Sequence, residues 1–340
     1  DTVTGWQAGY SYTMDESGNI YDSTATSVGT TYYNDLLEYF GVPFEVIERY
    51  EIGRYITPYG IGLSLGSQGF RWIYDVTDYA HLLVDSVDFS AGNQQELIDV
   101  KFLMIKGTPP RDVEKLDRIW GQRRSYKYSD MDNDVVLFDT TYTKAPNSFQ
   151  WKVLTRLTGH GHNSNSGNYP HCCEWKDNTH YLFVDQQQVA DWHIWQTHDC
   201  ANNPVFPQGG TWPGAREGWC PGDVVKDNEF EITQYVTGND FSIDYDITPV
   251  PSNNQGMGNG NYVVAMQLFH YGEANHSVDA EIYEVLQPTD WEYRERWNPI
   301  CIEPMVVLRN AGSTPLTSVQ FTYNVSGGIT LNHTWAGNLD

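Results

Sequence analysis

The sequence predicts an all-β protein on three observations. Phe, Trp and Tyr together number 48 (13, 12 and 23) against 6 Met, with many β-branched residues beside them, a composition suited to pleated, half-buried strands. Gly, Asn and Asp punctuate the chain about every ten residues, the spacing of turns between short strands. Helical periodicity is scarce. Its best case is Thr77 to Val84, where Thr77 is placed to cap a short turn carrying Tyr79, Leu82 and Leu83 on one side.

In chain order, Val135 to Phe138 reads as an apolar strand, closed by the break TTYTKAPNS at Thr140 to Ser148. Phe241, Ile243, Tyr245 and Ile247 alternate with Ser242, Asp244 and Asp246, the period of a strand with one buried face. Val319, Phe321, Tyr323 and Val325 repeat that pattern near the C-terminus. A polar, aromatic connector from Gln287 to Asn298 precedes a further pair of strands that starts at Met305. At 340 residues the chain is long enough for two or three cores. The breaks divide it into a sandwich over residues 1–142, a second over 149–286 that carries the main site motifs, and a small β extension over 299–340.

The formal net charge of −24 repels phosphate backbones and anionic lipid, which excludes nucleic acid and membrane surfaces as partners. No run of about 18 apolar residues is present, and no basic-plus-apolar leader precedes Asp1. A soluble chain already trimmed of a signal peptide is the expectation. There are five cysteines. Cys200 and Cys220 bracket a loop rich in Pro, Gly and Asn that needs a staple to hold one shape, so they are expected to be bridged. Cys172, Cys173 and Cys301 leave one further bridge and one free thiol. Such usage favours an oxidising compartment.

Most of the unusual chemistry lies between Thr158 and Asp223, where His160, His162, His171, His180, His193 and His198 surround Glu174 and Arg216. His160 and His162 alternate on an expected strand, so both imidazoles face one way, able to share copper or zinc or to line one pocket wall. The zinc signatures HExxH and paired CxxC are absent. Glu174 follows two cysteines and precedes Trp175, surroundings that suit a carboxylate to acid or base work; the alternative is a surface glutamate. Arg216 offers a guanidinium fork able to grip a carbonyl or carboxylate; the alternative is an ion pair with Glu217 or Asp223.

EIGRYITPYG (Glu51 to Gly60), DVTDY (Asp75 to Tyr79), TGHGH from Thr158, CCEW from Cys172, and DCANNP followed by GTWPGAREGWCPG resemble the peptide-N-glycosidase F family over most of residues 30–275. The resemblance implies two packed eight-stranded antiparallel jelly rolls with the active cleft between them, and hydrolysis of the amide joining an N-linked glycan to asparagine. Glu174 matches the family's catalytic glutamate and Arg216 its substrate-binding arginine. Asp35 falls about where the primary catalytic aspartate stands, with Leu36 beside it in place of an arginine. Lys101 and Leu103 replace a second glutamate and a nearby tryptophan, and His160 stands where the family has a cleft tryptophan. The jelly-roll pair also resembles copper-dependent peptidylglycine monooxygenases, in which a His-x-His binds metal.

The expectation is a secreted or periplasmic bacterial amidase, monomeric, acting on N-glycans or glycopeptides. Its catalytic residues are Asp35, Glu174 and Arg216, and its substrate-binding residues His160, His162, Trp175, Trp212 and Trp219. No cofactor is expected. Two alternatives stand beside it: a non-hydrolytic glycan-binding module, motivated by Leu36, Lys101 and Leu103, and a copper- or zinc-dependent enzyme using His160 and His162.

Overall fold

The computed structural model describes residues 2–4, 10–25, 32–34, 48–60, 63–64, 69–92, 97–161, 173–197, 199–203, 205–248, 260–288 and 303–340. The chain divides into two compact units, Asp1–Arg49 and Tyr50–Asp340. In the first, β1 (Thr2–Thr4), β2 (Tyr10–Met14), β3 (Ile20–Ala25) and β4 (Tyr32–Asn34) form two antiparallel pairs, β1 with β4 and β2 with β3. Asp15 closes the β2–β3 hairpin, its Oδ1 accepting the Ser17 and Asn19 N–H groups at 2.9 Å each. Asp35 lies just past β4, outside the described residues.

The second unit holds β5 (Arg111–Lys127), β6 (Thr140–Thr143), β7 (Gln150–His160), β8 (His180–Val184), β9 (Gln187–Trp192), β10 (Trp195–Gln196), β11 (Arg216–Glu217), β12 (Asn228–Glu231), β13 (Asp240–Ile247) and β14 (Asn261–Ala274). Eight of these form two antiparallel sheets, β12-β7-β14-β5 and β6-β13-β8-β9, while β10 and β11 pair separately. Lettered A to H in chain order, the eight read F-C-H-A and B-G-D-E, the strand order of a jelly roll. The expected alternation in β13 is present: Phe241, Ile243, Tyr245 and Ile247 are all buried, facing Val153, Leu157, Met266 and Leu268 across the core. Full burial of such a side chain contributes about 1.5–3 kcal/mol. Beyond the roll, β15 (Ala280–Gln287) pairs with β16 (Met305–Asn310), and β17 (Leu316–Asn324) with β18 (Thr330–Leu339).

The all-β expectation is therefore met, and several boundaries move. β5 lies before the break expected at Thr140 to Ser148 and β6 begins inside it, yet both are hydrogen-bonded into the roll, so that break takes in the roll's second strand and the link to its third. β5 was hidden by its charged outer face; Leu116 and Ile119, between those charges, are buried. Likewise β15 straddles the expected end at residue 286, because its partner is β16 of the C-terminal extension. Val135 to Phe138 form a bend rather than a strand. Leu137 takes φ 59° and is buried, with Val135 and Phe138 exposed on either side.

Among the described residues helix is confined to α1 (Tyr128–Asp132), α2 (Asp199–Asn202) and two 3₁₀ turns, Thr77–Leu82 and Thr233–Tyr235. The turn expected at Thr77 exists and buries Tyr79, but Thr77 is its first residue and Val76 its N-cap; Asp75 Oδ1, one residue earlier, accepts the Thr77 N–H (2.9 Å) and hydroxyl (2.6 Å). None of these helices is long and apolar enough to cross a membrane.

Cys200 and Cys220 are bridged as expected, and Cys173 is buried. Cys172 and Cys301 lie outside the described residues. Closing a loop of 20 residues removes enough unfolded-state entropy that the Cys200→Ala, Cys220→Ala double variant is expected to lose about 3 kcal/mol. Urea midpoints of the two proteins, with unreduced peptide mapping of the parent, check this. A midpoint unchanged by the double substitution refutes it.

Candidate active site

The bridged loop is laid against the segment from Arg54 to Gly60 by backbone pairing. The N–H groups of Ile56, Gly222, Val225 and Gly209 bond to the carbonyls of Asp223, Ile56, Arg54 and Tyr59 at 2.8–2.9 Å. Gln208 completes the seam, its Oε1 accepting the Tyr59 N–H (2.7 Å) while its Nε2 donates to Pro221 O (2.8 Å). Between them lies a cleft of about 720 Å³ lined by Tyr55 to Gly60, His160, Gly209, Gly210 and Trp219. Its size and aromatic walls suit a small saccharide.

β7 delivers the next layer. A Cβ on Gly159 would collide with the Cys173 carbonyl, so only glycine lets the turn carrying Cys173 and Glu174 rest directly on this strand. Gly218 is held by the same logic against the Leu157 carbonyl, at φ 81°. Trp219 Nε1–H donates to Gly159 O (2.7 Å), fixing the indole where its face stacks on His160 at 5.2 Å between centroids.

Behind Trp219 sits Arg216, fully buried. Its guanidinium lies 4.4 Å from the Trp175 ring centroid, 5.0 Å from Trp219 and 5.4 Å from Tyr59, a cation–π cage that shares two walls with the cleft. Nε–H points to Glu174 Oε1 (3.4 Å), Nη1 donates to Trp212 O (3.3 Å) and Gly214 O (2.8 Å), and Nη2 donates to Thr211 O (2.8 Å) and Oγ1 (2.9 Å). A guanidinium has five N–H donors, and all are engaged. The fork expected to grip a substrate instead holds the Thr211–Gly214 turn and Glu174, and neither Glu217 nor Asp223 is its ion-pair partner. Glu174 itself is only 15 % exposed, and its backbone is pinned on both sides, N–H to Gly161 O (3.2 Å) and carbonyl to Glu217 N–H (3.0 Å).

Glu174, Arg216, Trp175, Trp212, Trp219 and His160 are thus brought together. Asp35, His162 and His171 lie outside the described residues. β7, the strand expected to carry both histidines, ends at His160, where Gly161 turns at φ 72°. His160 Nε2 already faces Thr158 Oγ1 (2.8 Å), and among the described residues no group of three His, Cys, Asp or Glu gathers to hold a metal. His180 is fully buried between Glu217 and Tyr245, and His193 is exposed against Asp177. Lys101 is exposed and paired with Asp99, and Leu103 is 84 % exposed.

Sequence reasoning missed two parts of this architecture. Glu51 and Arg54, inside the motif EIGRYITPYG, form a half-buried pair (2.8 Å), and Arg156 makes a bidentate pair with Asp227 at 2.5 and 2.6 Å. Together they fasten the Glu51–Tyr55 segment to β7. An Arg within an otherwise apolar strand was the available signal. The second is Glu217: burial pushes its carboxyl up to about 9, while burial presses its neighbour His180 down to about 3. At 3.1 Å these two form a neutral hydrogen-bonded pair rather than an ion pair.

Residues 127–269 match the family model described as Peptide-N-glycosidase F, C terminal. The chain is 26 % identical over 251 residues to peptide-N(4)-(N-acetyl-beta-D-glucosaminyl)asparagine amidase F of Elizabethkingia miricola, covering 69 % of this chain and 67 % of that one. Among solved structures, a crystal structure of a peptide-N(4)-(N-acetyl-beta-D-glucosaminyl)asparagine amidase aligns at a TM-score of 0.49 with 22 % identity over 66 % of this chain and 74 % of its own. PNGase F, a glycosylasparaginase from Flavobacterium meningosepticum, aligns at 0.48 with 23 % identity, covering 66 % and 73 %. The family match begins at the last residue of β5 and ends inside β14, so it takes in the other seven strands of the jelly roll, the last in part, and every described residue of the Glu174–Arg216 cage except Tyr59. Over these residues the chain is similar to the peptide-N-glycosidase F family.

Proposed function

We propose that the chain is a secreted bacterial amidase, monomeric, that hydrolyses the amide joining an N-linked glycan to an asparagine side chain in glycoproteins or glycopeptides. The observation that carries this reading is Glu174, held by Arg216 among aromatic rings that also wall a saccharide-sized cleft, in a chain 26 % identical to an asparagine amidase. In the reaction, water adds to the side-chain carbonyl carbon, the carbon–nitrogen bond breaks, the nitrogen leaves protonated with the sugar, and an aspartate remains. Such a step needs a carboxylate to take and return a proton. Glu174 is assigned that role, and the sequence offers Asp35 as a second candidate carboxylate. Arg216 acts as a positioning residue, setting the Glu174 carboxylate and the Trp175 ring. The half-buried Tyr59 and Trp212 offer aromatic surface to sugar, while the buried Trp219 backs His160 and Arg216.

The test is incubation with a denatured N-glycoprotein in isotopically labelled water, followed by mass spectrometry of sequon peptides. Conversion of asparagine to labelled aspartate is expected. Glu174→Gln, nearly isosteric, is expected to slow turnover about 10²-fold or more. Measurable glycan affinity with untouched substrate across glycan classes would replace the amidase with a binding module.

A further inference from the structure

His160 holds a chain of hydrogen bonds that the proposed reaction does not use. Arg54 Nη1 donates to Thr158 Oγ1 at 3.0 Å, and the same oxygen lies 2.8 Å from His160 Nε2. Arginine has no acceptor, so the Thr158 hydroxyl must accept from it. Thr158 is fully buried, and His160 Nε2 is the one described acceptor within reach of its single proton. Reversing that bond would leave a buried hydroxyl proton unpaired. Nε2 therefore accepts, and the ring proton resides on Nδ1. Arg54 is itself held by Glu51 through two bonds of 2.8 and 2.9 Å and by the Val263 carbonyl at 3.0 Å, so its end of the chain does not rotate. Burial and the Arg54 charge both press His160 down to about 4, which keeps the ring neutral.

We propose that Arg54 and Thr158 lock His160 in the Nδ1–H tautomer, so that the cleft presents a fixed neutral donor which selects a carbonyl acceptor, the acetamido oxygen of an N-acetylated sugar, over a hydroxyl. Three further features support it. Among the described residues Nδ1 has no hydrogen-bond partner, while the imidazole lines the cleft and its face is immobilised on Trp219. A hydroxyl can donate or accept and so gains little from a donor alone, whereas a carbonyl is an obligate acceptor. With Nδ1 protonated and Nε2 engaged, neither nitrogen has a lone pair for a metal, so the same chain of bonds argues against His160 as a copper or zinc ligand. The identity of the sugar rests on the amidase reading; the tautomer does not.

The experiment has two arms. Nitrogen-15 NMR of the imidazole reads the tautomer directly: wild type is expected to show Nδ1 protonated and Nε2 bare, and Thr158→Val, close in shape, to shift the population towards Nε2–H. Calorimetry then compares N,N′-diacetylchitobiose with cellobiose, which carries hydroxyls in place of the acetamido groups. Wild type is expected to prefer the acetylated disaccharide by about tenfold or more, one good hydrogen bond. That preference is expected to vanish in His160→Leu, to weaken in Thr158→Val, and to survive in His160→Asn, whose amide nitrogen sits near the Nδ1 position. A wild-type Nε2–H tautomer overturns the proposal, as does a preference that His160→Leu leaves intact. Glycoprotein left uncleaved while the tautomer and the preference are both observed would sink the amidase reading alone.

Discussion

Arg216→Ala is expected to lose about 3–5 kcal/mol of folding stability, the typical consequence of removing one member of a buried charge pair. Arg216 is completely inaccessible and its partner Glu174 nearly so. Truncation removes five donors at once, leaving the Thr211, Trp212 and Gly214 carbonyls without their partner and Glu174 without its counter-charge. It also empties the space between Trp175, Trp219 and Tyr59, which then either collapses or stays as a cavity. Urea unfolding followed by tryptophan fluorescence and by circular dichroism measures the loss. A cost below about 1 kcal/mol would mean that the guanidinium is not structural and is free to bind substrate, as the sequence alone suggested. Arg216→Lys separates the roles. It keeps the charge but not the fork, so it should retain more stability than Arg216→Ala while still losing turnover through a misplaced Glu174.

Arg216 also marks where the sequence stops being informative. Its residue type, its loop and the bridge that closes the loop were all legible, because Cys, Gly and Pro spacing reports local chain constraint. Which way its donors point was not, since the turn at Thr211–Gly214 and the carboxylate of Glu174, 42 positions earlier, meet it only through the fold. The β13 strand was legible because its apolar positions alternate cleanly against Asp and Ser. β5 was not, because a strand that spends its outer face on Arg, Lys, Asp and Glu has the composition of a linker. That β7 would end at His160, with His162 outside the described residues, was not legible for a local reason: a period of two holds only while the next glycine stays extended, and Gly161 does not. The lock on His160 was invisible for the opposite reason. Arg54 is 104 positions from Thr158, and no spacing rule connects them.

The Glu217–His180 pair is expected to make a contribution to stability that is level between about pH 4.5 and 6.5 and falls on both sides, through Glu217 on the alkaline limb and through His180 on the acid one. Glu217 Oε1 accepts from Tyr262 Oη (3.3 Å), the Asn178 N–H (3.3 Å) and His180 Nε2 (3.1 Å), whereas its buried Oε2 has no partner among the described residues. Burial therefore raises the carboxyl from its ordinary 4.5 to about 9. Between those values the folded chain keeps a proton that the unfolded chain releases, so this contribution is fully present below 4.5 and is lost as pH rises to about 9. His180 runs the other way. Its ordinary 6.5 is lowered to about 3 by burial, so below 6.5 the unfolded chain gains a proton that the folded chain refuses, and stability falls towards pH 3. From 4.5 to 6.5 the two slopes cancel. Above 6.5 the Glu217 contribution is no longer offset by His180 and has a limiting slope of about 1.4 kcal/mol per pH unit. Other groups titrate in the same range, so the diagnostic quantity is the difference between wild type and Glu217→Gln, from urea unfolding at about pH 6 and about pH 8.5. Glutamine keeps an acceptor at Oε1 but cannot ionise, so the variant is expected to show a flat alkaline limb and to approach or exceed wild-type stability at the higher pH. An alkaline limb that persists unchanged in Glu217→Gln would show that Glu217 is already ionised when folded, and that its contact with His180 is a true ion pair.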